Sequence, residues 1–195
     1  MTTLYFVRHA QPNYANHDDL TRELSPKGLR DRHLVCDLLA DVPVDAVLSS
    51  PFKRAVDTVA PLAESRGLPI RTVDDLRERR IDSCWIEDFN SFARAQWEDF
   101  DYRLSDGESL RQVQERCVAA LEDILREYAG QTVVIGNHGT ALSCIINRYA
   151  PSFGYNEFRH IHGLMPWVVR FSFEATACKE IISIDPFTSK KRPLL

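Results

Sequence analysis

Leu4–Ala10 reads LYFVRHA, and Thr132–Gly139 reads TVVIGNHG. Both open as short apolar runs rich in aromatic and β-branched residues. Such runs predict buried strands, here over Leu4–Val7 and Thr132–Ile135. Each strand then passes directly into residues that can carry chemistry. Arg8 and His9 follow the first, and Asn137, His138 and Gly139 follow the second.

Working outward, further strands are predicted over Val44–Leu48, Ile70–Val73, Trp167–Phe173 and Ile181–Ile184. The last two are expected to form a hairpin at the sheet edge. Helix signals fall between the strands. Ser25-Pro26 reads as an N-cap with Pro at the first helical position, ahead of Leu34, Val35, Leu38 and Leu39 on one face. Ser50-Pro51 repeats that signature and opens a helix to about Arg66, closed by Gly67. Pro61 is expected to kink this helix or end it early. Ser109–Gln112 fits a capping box, and Val113, Cys117, Leu121, Ile124 and Tyr128 follow at helical spacing. Another helix is predicted to run through Arg148. Residues 81–106 form an aromatic-rich insertion or lid, with a helix over Phe92–Phe100. Strands alternating with helices imply an α/β fold with a mainly parallel sheet. Neither an internal repeat nor a linker is present, so residues 1–195 are expected to form one domain.

Global properties narrow the function. The 195 residues are 44% hydrophobic and 27% charged, ordinary values for a globular chain. The net charge is −4 and no basic stripe occurs, which argues against nucleic acid. No run of about 18 apolar residues suggests a membrane span, and MTTLYFV is too short for a secretory h-region. The five cysteines (Cys36, Cys84, Cys117, Cys144, Cys178) are scattered without a C-x-x-C pair. They read as free thiols in a reducing compartment, so the expected location is cytoplasmic.

In parallel α/β sheets, ligands bind beyond the carboxyl ends of the strands. That rule gathers Arg8-His9, then Ser49, Ser50 and Arg54, then Arg77, Glu78, Arg79 and Arg80, then Asn137-His138-Gly139. These residue types suit phosphoryl transfer. Arg offers planar bidentate donors to a phosphate dianion. A neutral His can attack phosphorus when its other ring nitrogen is held by a backbone carbonyl. A second, protonated His would stabilise the equatorial oxygens, and a carboxylic acid would protonate the leaving oxygen. His9, Arg8, Arg54, His138 and Glu78 fill these roles without metal or cofactor. Sequence distance alone leaves open that His9 and His138 are unrelated core histidines.

Among the remaining candidates, Gln11, Asn13 and Tyr14 are placed to line the pocket rim. Arg77, Arg79 and Arg80 are placed either to read further anionic groups or to face solvent. Glu108 could bond the pocket arginines or simply serve a helix N-terminus. The aromatic insertion reads as a lid packed on the sheet, or as an apolar wall for the leaving group. Arg32-His33 reads as a solvated helix face, and Arg159-His160 with His162 as an unplaced loop that could reach the site rim. Rival phosphatase chemistries find no support. No Cys is followed six residues later by Arg, no D-x-D follows the first strand, and no Walker loop occurs.

Six segments, in order, resemble the phosphoglycerate mutase-like histidine phosphatase superfamily. They are VRHAQPNY (7–14), LSPKG (24–28), SSPFKRAVDT (49–58), LRE (76–78), GES (107–109) and GNHG (136–139). The resemblance implies a three-layer α/β/α sandwich with its site at the strand carboxyl ends. It implies His9 as the transiently phosphorylated nucleophile. Arg8, Arg54 and His138 fall to the phosphate pocket with Gly139 beside them, and Glu78 becomes the proton donor. The chain departs from the pattern at Ala10, where Gly is commoner, and at Asn137, where a hydroxyl residue is usual. Tyr14-Ala15 also stand where mutases carry a Trp-Asn pair. The short length and the missing Trp-Asn pair favour a metal-independent phosphatase acting on a small phosphorylated metabolite or a phosphoprotein. The alternatives are a phosphoglycerate mutase and a catalytically idle phospho-ligand binding module.

Overall fold

The computed structural model describes residues 1–83 and 86–195. Its seven strands are β1 (Thr2–Arg8), β2 (Ala46–Ser49), β3 (Ile70–Thr72), β4 (Thr132–Asn137), β5 (Trp167–Glu174), β6 (Ala177–Ile184) and β7 (Lys191–Pro193). They form one sheet in the order β3-β2-β4-β1-β5-β6-β7. The half containing β3, β2, β4 and β1 is parallel. The half from β5 to β7 is antiparallel, starting with the β1–β5 pair.

Why β1 and β4 are apolar on both faces is plain from what covers them. Leu4 and Phe6 face one core with Val133 and Ile135, while Tyr5 and Val7 face the other with Val134. The first core lies under α4 (Phe89–Glu98), α5 (Leu110–Glu127), α6 (Gly139–Tyr149) and α7 (Tyr155–His160). The second lies under α2 (His33–Leu38) and α3 (Lys53–Arg66), which follow α1 (Pro26–Asp31). The result is a three-layer α/β/α sandwich.

Local signals place most of these elements. The Ser25 hydroxyl accepts from the Gly28 amide at 3.1 Å and opens α1. Gly28 allows close packing, because a Cβ there would lie 2.1 Å from the Gln11 carbonyl oxygen. The Ser109 capping box opens α5, and Gly67, with φ of 64°, closes α3.

Several expectations are corrected. Pro61 does not end α3, which runs on to Arg66. A proline at 61 supplies no N–H to the Asp57 carbonyl one turn back, and Arg32 Nη1 donates to that oxygen instead at 3.1 Å. The helix starts at Lys53 rather than Pro51, and Phe52 is its cap. The helix after Ser25 breaks at Arg32 into α1 and α2. The final hairpin forms, but β7 pairs outside it and becomes the edge. The Arg159-His160 pair belongs to α7 rather than to a loop.

Of the cysteines, Cys36, Cys117, Cys144 and Cys178 are free thiols, while Cys84 lies outside the described residues, as does Trp85. Burial pushes the Cys117 thiol up to about 12, which makes it inert at neutral pH. No helix among the described residues is long and apolar enough to cross a membrane.

Candidate active site

Strand register brings the two histidines together. Arg8 pairs with Asn137 across β1 and β4, and Ser49 pairs with Gly136 across β2 and β4. The next residue on each strand therefore emerges at the same edge. His9 and His138 sit with ring centroids 5.3 Å apart, and Ser50 Oγ lies 2.7 Å from His138 Nε2. The His9 amide donates to the Asn137 carbonyl at 3.0 Å, which extends the ladder by one bond.

The His9 ring has a defined tautomer. Its Nδ1 lies 2.8 Å from the Ala10 carbonyl oxygen, which can only accept. The proton is therefore on Nδ1, and Nε2 keeps its lone pair. Burial, with Arg54 and Arg8 nearby, pushes this imidazole well below the ordinary histidine range. It is neutral at physiological pH, as a nucleophile requires. The same cause, burial first and then Arg54, holds His138 well below that range. Without a phosphate dianion to offset these cations, His138 is held neutral. It is fully buried beside His9, and among the described residues its Nδ1 is without a partner.

The two pocket arginines are fixed differently. Arg8 Nη1 donates to the carbonyls of Ile161 at 2.5 Å, Leu164 at 3.2 Å and His162 at 3.3 Å. Its Nε is buried and, among the described residues, unpaired. Burial lowers Arg8 to about 10, so it stays cationic at neutral pH. Gly139 lies against it, since a Cβ there would meet Arg8 Nε at 3.0 Å. Arg54, on the first turn of α3, donates to the Asp19 carbonyl at 2.7 Å and to Asp19 Oδ1 at 3.1 Å. One turn later, Thr58 donates to the Arg54 carbonyl and accepts from the Ala10 amide at 3.0 Å. That hydroxyl ties the loop carrying His9 to the helix carrying Arg54.

Glu78 reaches the site from the segment after β3. Its carboxyl oxygens accept from the amides of Arg79 (2.7 Å), Thr140 (3.0 Å) and Ala141 (3.1 Å). It therefore caps the start of α6 from a distant part of the chain. Glu108 braces that segment. It accepts from the Arg80 amide and from Arg116, and Arg116 donates to the Asp75 and Arg77 carbonyls.

His9, Arg8, Arg54, Glu78 and Gly139 open onto one cavity of about 560 Å³. Gln11 and Asn13 do not line it. Gln11 Oε1 accepts from Ser25 Oγ at 3.0 Å, and Asn13 Nδ2 donates to Glu23 at 2.6 Å. Both hold the loop after His9 rather than the rim. Tyr14 does line the cavity, together with Asp19, Arg79, Phe89 and His162. Phe92 and Trp97 are instead buried in the core, and Phe89 supplies cavity wall. Of the neighbouring arginines, Arg77 is paired with Asp75 and Glu108, Arg80 is exposed, and Arg79 is buried at the wall. Among the described residues, no group of three or more His, Cys, Asp or Glu is arranged to hold a metal ion.

From sequence, Ser50 is placed at this edge but only as a helix cap, and Asp19 and Thr58 are given no role. The Ser50 hydroxyl does accept from the Phe52 amide at 3.3 Å, but it also binds the second histidine. Thr58 lies four residues after Arg54, which places both on one helix face. That spacing was the available signal. Nothing local in the sequence marks Asp19.

This is a three-layer α/β/α domain with two neutral histidines and an arginine pair at the carboxyl edge of its parallel strands. The sequence profile of the Histidine phosphatase superfamily (branch 1) matches residues 4–179, and the chain belongs to that family. Among similar proteins, one from Yersinia pestis (strain Pestoides F) is named "Probable phosphoglycerate mutase GpmB". It is 28% identical over 159 residues, covering 75% of this chain and 74% of the relative. Among solved structures, Bacillus stearothermophilus YhfR superposes with a TM-score of 0.74 at 21% identity, covering 92% of this chain and 95% of that one. A mycobacterial glucosyl-3-phosphoglycerate phosphatase superposes with a TM-score of 0.73 at 21% identity, covering 98% and 96%. A mutant phosphoserine phosphatase from Entamoeba histolytica, in complex with phosphoserine, gives 0.73 at 18% identity, covering 92% and 93%. These structural likenesses establish the fold.

Proposed function

We propose that the protein is a metal-independent phosphatase that hydrolyses a phosphomonoester through a phosphohistidine on His9. The observation that carries this reading is the His9 tautomer. Nδ1 is bound to the Ala10 carbonyl, so the bare Nε2 of a neutral ring is left at the cavity beside Arg8.

In the first step Nε2 attacks phosphorus and the ester P–O bond breaks. Arg8, through the Nε edge left unpaired, and Arg54 hold the phosphoryl oxygens. His138 assists through Nδ1. Ser50, already accepting from the Phe52 amide, can donate its proton to His138 Nε2 and leave Nδ1–H as the donor toward phosphate. Arg54 commits two of its five N–H donors to Asp19, which leaves others for the phosphate. Glu78 gives a proton to the leaving oxygen, so that an alcohol departs. In the second step water attacks the phosphohistidine, Glu78 takes up its proton, and inorganic phosphate leaves with His9 restored. Positioning and charge complementarity supply most of the rate. The expected partner is a small phosphorylated metabolite in the cytoplasm, and no step calls on a cofactor.

A phosphoglycerate mutase shares the covalent step and is favoured by the name of the Yersinia relative. Incubation with 3-phosphoglycerate separates the two. Free phosphate supports hydrolysis, and conversion to the 2-phosphate isomer supports the mutase. His9→Ala is expected to lose phosphate release from an aryl phosphate while keeping its circular dichroism spectrum. Full activity in that variant would overturn the mechanism. Turnover is expected to persist in excess chelator.

A further inference from the structure

Asp19 is a carboxylate set among the cations of the cavity. It lines that cavity together with Arg8, Arg22 and Arg54. Its Oδ1 accepts from Arg54 Nη2 and from Arg22 Nη1, both at 3.1 Å. Its carbonyl oxygen accepts from Arg54 Nη1 at 2.7 Å. The side chains of Arg54 and Arg22 are only 3% and 10% exposed, whereas that of Asp19 is 49% exposed. One half-open carboxylate thus sits against two enclosed guanidiniums.

The loop that carries Asp19 is fastened on both sides. Asp18 Oδ1 accepts from the Leu20 and Thr21 amides at 2.8 and 3.2 Å. The Leu20 carbonyl accepts from the Lys53 amide at 3.0 Å, one residue before Arg54. Arg22 Nε donates to the Asn16 carbonyl at 2.6 Å, and the Glu23 carboxylate accepts from Asn13 and Asn16. The carboxylate is therefore held next to Arg54 when that arginine also reaches a phosphoryl oxygen. A phosphate dianion entering the cavity meets the repulsion of a fixed like charge, at a dielectric below that of bulk water.

Substrate and inorganic phosphate offer the same dianion to the floor. Affinity for that shared group binds both and does nothing by itself for the chemical step. We propose that Asp19 is a resident counter-charge that holds down affinity for the phosphoryl dianion and so lets inorganic phosphate leave. This rests on the phosphomonoesterase reading above. Asp19 also orients the two guanidiniums, but orientation and charge can be separated. The amide oxygen of an asparagine accepts the same two N–H bonds without the negative charge.

Inorganic phosphate is titrated by calorimetry into the wild-type protein and into Asp19→Asn, at about pH 8, where phosphate is a dianion. The variant is expected to bind phosphate at least about fivefold more tightly. The gap is expected to narrow in high salt, because the Asp19 side chain is half in solvent. In steady state, KM for an alkyl phosphate and the inhibition constant of phosphate are expected to fall together in Asp19→Asn, and kcat is expected not to rise. Equal or weaker phosphate binding by Asp19→Asn would overturn the proposal and leave Asp19 as an orienting group alone. Phosphate bound by neither protein would overturn both the proposal and the phosphate pocket beneath it. Phosphate release from esters by the wild type is measured separately. Tighter phosphate binding by the variant, with no release from any ester, overturns the hydrolase reading and leaves the counter-charge standing. Release with equal phosphate binding does the reverse.

Discussion

The floor of the cavity and its outer wall are built by different means. The floor is made by backbone pairing. The register of β1 with β4 and of β4 with β2 leaves His9, His138 and Ser50 little freedom beyond their side-chain torsions. The wall is made by segments that reach the site from elsewhere. The stretch carrying Glu78 and Arg79 is held by Glu108 and Arg116, and α4 brings Phe89. The difference teaches where chemistry and selectivity are separated. Substitutions on the floor, and at Glu78 where the wall meets it, should strike the chemical step, and those on the rest of the wall should strike the choice of substrate.

After the loss of turnover in His9→Ala, the largest effect is expected at Glu78. Glu78→Gln should lower kcat by about 10²–10⁴-fold for an alkyl phosphate, whose leaving oxygen needs a proton. It should lower kcat far less for p-nitrophenyl phosphate. Equal losses on both esters would remove Glu78 from the acid role. Next comes Gly139→Ala, which presses a methyl group to 3.0 Å from Arg8 Nε. Displacing that guanidinium is expected to cost up to about a hundredfold in kcat/KM on every ester alike. Phe89→Ala is expected to act as a wall change, raising KM several-fold while kcat holds, measured on esters of graded size.

Thr58→Val addresses the join between the two strands' loops without touching the reacting groups. It leaves the buried Ala10 amide without its acceptor and should cost about 1–3 kcal/mol in chemical denaturation. The pH dependence has a definite sign. His9 and His138 are buried neutral, below their unfolded value of about 6.5. As pH falls below that value the unfolded chain binds protons that the folded chain does not. Stability is therefore full above it and declines toward acid. The melting temperature should drop between pH 7 and pH 5, and the drop should be shallower in His138→Ala. The same depression keeps the His9 nucleophile unprotonated, so kcat/KM should not fall through His9 titration near pH 6.5.

The floor was legible in the sequence because strands write themselves as apolar runs and the chemistry sits at their ends. Arg8-His9 and Asn137-His138 could be placed at one edge from that pattern alone, and the family motifs then named their roles. The wall was less legible. Arg77, Arg79 and Arg80 are equivalent as letters. Only the Gln96 carbonyl oxygen and the Phe89 and Phe92 rings distinguish the buried one. Gln11 and Asn13 follow the nucleophile closely, yet their side chains turn to Ser25 and Glu23 because the loop must be fastened to α1. Asp19 reaches Arg54 across 35 residues, and no local signal marks such a contact. β7 and α7 were missed because Lys191–Pro193 and Tyr155–His160 lack a clear apolar period.

The central claim is that phosphoryl transfer passes through His9. The direct measurement is a rapid quench of the protein with a ³²P-labelled phosphomonoester, followed by peptide mapping. The expected result is a label that survives alkali, is lost in acid, maps to the peptide containing His9, and is absent in His9→Ala. Turnover with no such label at any quench time, or label mapping to another residue, would contradict the mechanism.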